Sequence, residues 1–234
     1  MTWRTTSSSN VSSPGGSCQV GPSPSSRALR LEGLRATDPA ALRSVISQLP
    51  DEPLDAALTV GEPIVDWLLQ EGFQPYQETS TMVRSLEGFA RSAQVPGVTI
   101  EAYRNAFADA FQTAEREALV DLSAFTELGQ PTGYETAEGF DAFFVAIRDQ
   151  RIVGFAQAQL PEGWVNWFGV VPDERRRGIG RALIQRVATA VTAARGTHIG
   201  AVSEERPEAL AFWRALGFKN VSRQVTLIRR GGRA

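Results

Sequence analysis

Apolar positions along the chain fall into two successive blocks, each mixing strand-like and helix-like spacing. In the first block, Ala28 to Leu34 reads as a short strand. Asp38-Pro39 then supplies an N-cap with proline at the first helical position, and Ala41, Leu42, Val45 and Ile46 follow at helical spacing. Leu54 to Val60 reads as a strand. Ile64 to Gln70 reads as a short helix carrying Ile64, Val65, Leu68 and Leu69, which stops at Gly72. Phe73 to Leu86 reads as two short strands or a hairpin. Residues 93–97, with Pro96-Gly97, read as a linker.

The second block opens with a strand from Val98 to Tyr103. A helix follows, with Phe107, Phe111, Ala114 and Ala118 on one face. Leu122 to Phe140 holds Gly129, Pro131, Gly133 and Gly139, and is expected to be a short helix plus a loop. Phe143 to Arg148 and Ile152 to Leu160 are strands around an Asp149-Gln150 turn. Then come strand Trp164 to Val171, helix Gly180 to Ala194 stopped by Gly196, strand Thr197 to Ser203, helix Pro207 to Leu216 stopped by Gly217, and strand Val221 to Arg229.

A shift of 145 positions brings Ala56 onto Ala201, Gly72-Phe73 onto Gly217-Phe218, Thr81 onto Thr226 and Arg84 onto Arg229. Trp67, Met82 and Val83 meet the apolar Phe212, Leu227 and Ile228. The two readings are an internal duplication, or the ordinary similarity of short helices ended by Gly-Phe.

Composition removes several classes of function. The chain has 234 residues with formal net charge -2, which argues against a coat for nucleic acid or anionic membrane. No uncharged apolar run reaches the ~18 to 20 residues of a spanning helix. With one Cys (Cys18) and one His (His198), an intrachain disulfide or Cys/His zinc cluster is impossible. Residues 1–26 contain nine Ser, three Pro and three Gly. They lack the apolar core of a secretory signal and are expected to be a flexible tail. The expected location is therefore cytoplasmic.

The chemistry concentrates in Val170-Val171-Pro172-Asp173-Glu174-Arg175-Arg176-Arg177-Gly178-Ile179-Gly180-Arg181. A strand ends, a basic turn follows and a helix opens. The first N–H groups of a helix lack intrahelical acceptors and face the positive end of its dipole, which favours an anion. Gly178 and Gly180 remove Cβ atoms that would hold a diphosphate away, and Arg175, Arg176, Arg177 and Arg181 add positive charge. Neither a Walker A loop nor a dinucleotide fingerprint fits, since Leu183 stands where the fingerprint's third Gly belongs. The competing reading is a solvated Arg cluster beside an ordinary helix start.

This stretch resembles the signature of the GNAT N-acetyltransferase superfamily: Arg or Gln, two residues, Gly, one residue, Gly or Ala. Arg175, Gly178 and Gly180 fill it, and a second similarity runs from Ala209 through Trp213 to Gly217-Phe218. The resemblance covers residues 98–234. It implies an α/β fold whose mixed, mostly antiparallel central sheet is flanked by helices. It also implies an acetyl-CoA site, with the turn backbone on the diphosphate and the strand backbone at Phe168, Gly169 and Val170 along the pantetheine. The Val170 N–H is expected to stabilise the thioester oxyanion while an amine attacks directly.

Two positions depart from the family pattern. Trp213 stands where a Tyr often protonates the departing thiolate, and an indole N–H is a very poor acid. Arg206 stands where Asn is common. Ser203 is a substitute proton donor, and Glu204 and Glu205 are candidate bases. Trp164 and Trp167 are candidates for the acceptor side. Glu127, Glu135, Glu138 and Asp141 make residues 122–141 an acidic cover that favours a cationic amine. Residues 27–92 read as a degenerate half of the same fold without a CoA site, because Asp38 places an acid at its helix start. The expected function is transfer of acetyl from acetyl-CoA to a primary amine, most readily a small molecule. A CoA-binding module without turnover and a protein Lys or N-terminal acetyltransferase stay open, as does a homodimer. No metal, nucleic acid or membrane is expected.

Overall fold

The computed structural model describes residues 8–22, 28–50, 52–89, 94–120 and 142–230. The chain forms two compact units. One holds residues 1–79, 123–132 and 222–234, and the other holds 80–122 and 133–221. The boundaries differ from those expected at 27–92 and 98–234. The reason is that two long strands run across them: Gln74–Ser85 begins in the first unit and ends in the second, and Lys219–Arg229 does the reverse.

The first unit contains β1 (Ser9–Ser13), β2 (Gly16–Pro22), β3 (Leu29–Ala36), α1 (Pro39–Ile46), β4 (Leu54–Thr59), α2 (Pro63–Gln70) and the start of β5 (Gln74–Ser85). β1 and β2 correct the expectation of a flexible tail. They form an antiparallel hairpin, and β2 pairs with β3. Gly15 at the turn has φ +77, a conformation that glycine adopts without steric cost. Cys18 and Val20 point into a core with Leu31, Leu42, Val45 and Leu54. The Ser-rich composition hides an alternation of few but well-placed apolar side chains. Burial also raises the pKa of the Cys18 thiol. Native protein should therefore react slowly with Ellman's reagent and rapidly once unfolded. Immediate stoichiometric labelling of native protein would show that the hairpin is undocked.

The helix start in this unit behaves as its sequence requires. Asp38 accepts the Ala41 N–H at 2.8 Å, with Pro39 in the first turn. The Ala41 amide holds the Asp38 carboxyl below the usual carboxylate range. A capping carboxylate thus occupies the place where an anion would sit.

The second unit contains the end of β5, then β6 (Thr99–Ala102), α3 (Ala108–Leu119), β7 (Ala142–Arg148), β8 (Arg151–Ala158), β9 (Trp164–Val170), α4 (Ile179–Ala193), β10 (His198–Glu204), α5 (Pro207–Ala215) and the start of β11 (Lys219–Arg229). Its strand order is β5-β10-β9-β8-β7-β6. Neighbours from β6 to β9 are antiparallel, and β9 and β10 are parallel. This is the expected mixed, mostly antiparallel sheet flanked by helices. Asp149 and Gln150 turn between β7 and β8 with φ 48 and 63, the left-handed pair of a two-residue hairpin. The Phe73 to Leu86 stretch is one strand rather than two, and residues 122–140 lie outside the described residues.

The 145-residue repeat has a structural counterpart. Each half runs strand, helix, strand, helix, strand, with its first two strands parallel. Gly72 and Gly217 end their helices with φ 83 and 82. Phe73 N–H donates to the Leu68 carbonyl and Phe218 N–H to the Trp213 carbonyl, each at 3.1 Å. Both Phe side chains are buried.

Candidate functional site

β9 carries the site because it leaves its neighbour. Its pairing with β10 is confined to Gly200↔Trp164 and Ala201↔Val165. On the other side, Ala158 faces Val165 and Gln157 faces Trp167, so Asn166 is an extra residue that bulges β9 where it parts from β10. Beyond the bulge, Val171 N–H donates to the Val153 carbonyl. Antiparallel alternation then turns the Gly169 amide toward β8 and the Phe168 and Val170 amides toward the open edge. The Phe168 and Val170 N–H groups thus face the same way. Gly169 serves packing: a Cβ there would lie 2.8 Å from the Phe155 ring and 2.9 Å from Ala118 Cβ.

A 3-10 turn, Pro172–Glu174, joins β9 to the basic residues. Its acids are turned to outside partners. Arg148 pairs with Glu174 at 2.6 Å, and Arg151 binds Asp173 at 2.9 Å while also pairing with Glu117 at 2.5 Å. The Arg151 guanidinium holds the Asp173 carboxyl below its ordinary range. Arg176 takes φ 65 and Gly178 takes φ 86, which directs the chain into α4. Gly178 is the N-cap and makes no side-chain cap bond, and no acid lies in the first turn of α4. The amides of Ile179, Gly180 and Arg181 therefore begin a helix without a side-chain cap, unlike those after Asp38.

Two residues of the motif act differently from the sequence reading. Arg175 is tied to the fold: its guanidinium donates to the Val170 carbonyl and to the Ala118 carbonyl, both at 3.0 Å. Its planar fork fastens the end of β9 to the end of α3 rather than adding charge beside an anion. Gly180 makes room for aromatic rings, since a Cβ there would lie 3.1 Å from Phe168 and from Phe212. A Cβ on Gly178 would meet nothing closer than Val95 at 3.7 Å, so Gly178 faces the roomier side. Arg177 lies 3.6 Å from Glu174, and Arg176, Arg177 and Arg181 are exposed around the helix start.

Phe168 stacks on Phe212 at 5.2 Å, and Trp213 packs against Phe168, Phe212 and Phe218. Trp213 is buried and serves as an aromatic wall. Ser203 is buried, with its hydroxyl directed to the Glu204 carbonyl at 3.2 Å. Glu205 accepts from the Ser80 hydroxyl, which accepts from the Asn220 amide at 2.5 Å. This ties Glu205 to the fold. Trp164 is partly exposed and lies over Gly200. His198 begins β10 and bonds Thr197, away from that strand's C-terminal end. Glu127, Glu135, Glu138 and Asp141 lie outside the described residues.

The sequence reading passed over two polar groups. Glu115, on the α3 face that carries Phe111 and Ala118, accepts Trp167 Nε1–H at 2.6 Å. Burial raises its pKa, and the Trp167 hydrogen bond partly opposes this. Gln157 is 3% exposed, and its Oε1 has no hydrogen-bond partner among the described residues. A lone acid in an amphipathic helix and a Gln in a strand carry no motif, so only burial reveals them. Among the described residues, no cluster of His, Cys, Asp and Glu could hold a metal. None of the described helices is long and apolar enough to cross a membrane.

Residues 139–220 match the family model described as an acetyltransferase (GNAT) domain. The chain is similar in fold to a GCN5-related N-acetyltransferase from Sphaerobacter thermophilus, with TM-score 0.65 and 17% identity over 92% of this chain and 76% of that one. A GCN5-related N-acetyltransferase from Kribbella flavida gives TM-score 0.64 and 16% identity over 97% and 91%. A tandem GNAT protein from the clavulanic acid biosynthesis pathway gives TM-score 0.62 and 13% identity over 94% and 80%. A search of curated proteins finds no match. The fold is that of GNAT acetyltransferases, and the family model matches residues 139–220.

Proposed function

We propose, taking the GNAT domain at residues 139–220 as premise, that the second unit transfers an acetyl group from acetyl-CoA to a primary amine. The observation that carries this reading is the splay of β9 from β10 ending at an uncapped helix start. The strand edge offers the Phe168 and Val170 amides to an extended thioester arm, as an added strand would be paired. The α4 amides and the exposed Arg176, Arg177 and Arg181 offer a seat to a diphosphate at the other end. Acetyl-CoA is thus the donor that fits the residues present. The first unit, with Asp38 over its own helix start, binds none.

In this reading the chain supplies orientation and electrostatics. A fixed amide at the β9 edge stabilises the negative charge that grows on the thioester oxygen. The amine nitrogen attacks directly, so no enzyme nucleophile is needed, in keeping with a buried Cys18 in the other unit. A small-molecule amine is the proposed acceptor. The test is release of CoA thiol from acetyl-CoA with a panel of small amines and with Lys-containing peptides. Amine-dependent release supports the reading. Binding of acetyl-CoA without release would make the domain a CoA-binding module, and release with peptides alone would make it a protein acetyltransferase.

Trp213 gives a separate prediction. Because it is packed among three Phe rings and carries no useful acid, Trp213→Phe should keep turnover within about tenfold, below the 10²–10⁴ of acid–base catalysis. Its pH–rate profile should keep every limb. Loss of a basic limb would restore proton transfer to this position.

A further inference from the structure

We propose that Glu115 and Gln157 form the seat of the acceptor's ammonium group, Glu115 taking the proton that frees the amine; the inference rests on the acetyl-transfer reading above. The placement comes from the sheet register. Phe143, Gln157 and Trp167 stand directly opposite one another across β7, β8 and β9, so they share a face. That face meets α3, since Phe111 packs edge-on against Phe143 and Phe155 at 5.1 and 5.2 Å. Glu115, one turn after Phe111, bonds Trp167 on one flank of Gln157. On the other flank Phe143 stacks on Tyr103 at 4.2 Å, and the Glu115 charge raises the Tyr103 pKa further after burial has raised it. Gln157 thus stands on the sheet face that meets Glu115, between the aromatic Phe143 and Trp167. Trp167 belongs to the strand whose Phe168 and Val170 amides face the thioester path.

The donor count favours a cation. A partly buried carboxylate and a buried amide oxygen that has no partner among the described residues are both acceptors. A primary ammonium brings three N–H donors, and aromatic walls favour positive charge. Trp167 N–H already serves one lone pair of Glu115, whereas Gln157 Oε1 has no partner among the described residues, a cost that an ammonium donor would remove.

The proton balance also closes. Glu115 accepts one ammonium proton and passes it to solvent. The amine lone pair forms the C–N bond to the thioester carbonyl carbon, and the C–S pair leaves on sulfur. The second nitrogen proton goes to that thiolate, and the amide keeps the third. No side-chain acid is required, in agreement with Trp213 at its position.

Groups that could disturb the Glu115 titration are accounted for. Tyr103 faces it from the strand side, and Gln157 and Trp167 on β8 and β9 are uncharged. On α3, Glu117 pairs with Arg151, a residue of β8, and Arg116 is exposed. Arg175 is bonded to the Ala118 carbonyl, and Arg104 pairs with Glu101. Activity needs Glu115 ionised, so it falls as pH drops through the raised pKa.

The test uses the full chain with propylamine, ethanolamine, phenethylamine and spermidine. Turnover is read by CoA thiol release and binding by calorimetry with CoA present. Glu115→Gln keeps an acceptor for Trp167 and should keep the melting temperature. It should cut kcat/KM about a hundredfold and abolish its acidic limb. Gln157→Leu should raise KM about tenfold, and both variants should bind acetyl-CoA as wild type does. Unchanged kcat/KM and pH profile in Glu115→Gln, with an active wild type, would overturn this inference alone. Amine binding lost in Glu115→Gln, with no wild-type turnover, would support the seat and overturn the transfer reading. A wild type that neither binds nor acetylates any of the four amines would overturn both.

Discussion

Gly178→Asp should abolish the thermal stabilisation that acetyl-CoA gives the wild-type protein and weaken its Kd at least about a hundredfold. The site has room for the new side chain, because the nearest atom to a Cβ there is Val95 Cγ2 at 3.7 Å. Gly178 is the N-cap of α4, so an Asp there would set a negative charge beside the first-turn amides that a diphosphate would use. Losing one or two charge-assisted hydrogen bonds of about 1.5–3 kcal/mol each, and adding like charge, accounts for that factor. Asp tolerates a left-handed φ better than most residues, so the strain at φ +86 is smaller for it than for a bulkier side chain. Gly180 is the wrong place for this test, because any side chain there would strike Phe168 and Phe212. Calorimetric titration reads the result, and undiminished affinity in Gly178→Asp would move the diphosphate elsewhere.

Arg175→Met should lower the melting temperature by roughly 5 °C and weaken acetyl-CoA binding about tenfold. Arg175 bridges the Val170 carbonyl and the Ala118 carbonyl. Each bond to a charged donor is worth about 1.5–3 kcal/mol when buried, and the exposure of this side chain brings the pair down to ~2 kcal/mol. At about two to four degrees per kcal/mol for a chain of this size, that gives the stated shift. The affinity loss follows because the same bridge fixes the end of the strand whose amides meet the thioester. Arg175→Lys should not restore either quantity, since an ammonium cannot span two carbonyls as a planar fork does. A purely electrostatic role would show the opposite pattern, with stability intact and Lys an adequate substitute.

The parts of the fold legible in the sequence are those specified by local chemistry. Asp38-Pro39 is a complete helix start, and the structure uses it as one. Gly72-Phe73 and Gly217-Phe218 are complete helix stops, with the same left-handed glycine and the same buried ring. The basic turn before α4 was legible because a strand end, a glycine at positive φ and a helix without a cap must all fall within a few residues. What the sequence concealed depends on tertiary partners. The β1–β2 hairpin docks through Cys18, Val20 and Val11 around the Gly15 turn, and serines between them mask the alternation. β5 runs as one strand through Pro75, where two short strands or a hairpin were expected. Arg175 and Gly180 fit the expected motif by residue type, yet one bridges two backbone carbonyls and the other makes room for two rings. Glu115 and Gln157 acquire meaning through their burial, which no local pattern encodes.

Acetyl-CoA at the β9 edge and the α4 start can be tested directly by amide hydrogen exchange with and without saturating ligand. Strong added protection should fall on Phe168, Val170 and residues 178–181, with none around Asp38, and titration should give one site per chain. Protection centred on the first unit, or unchanged exchange at Phe168 and Val170 under saturation, would contradict the account.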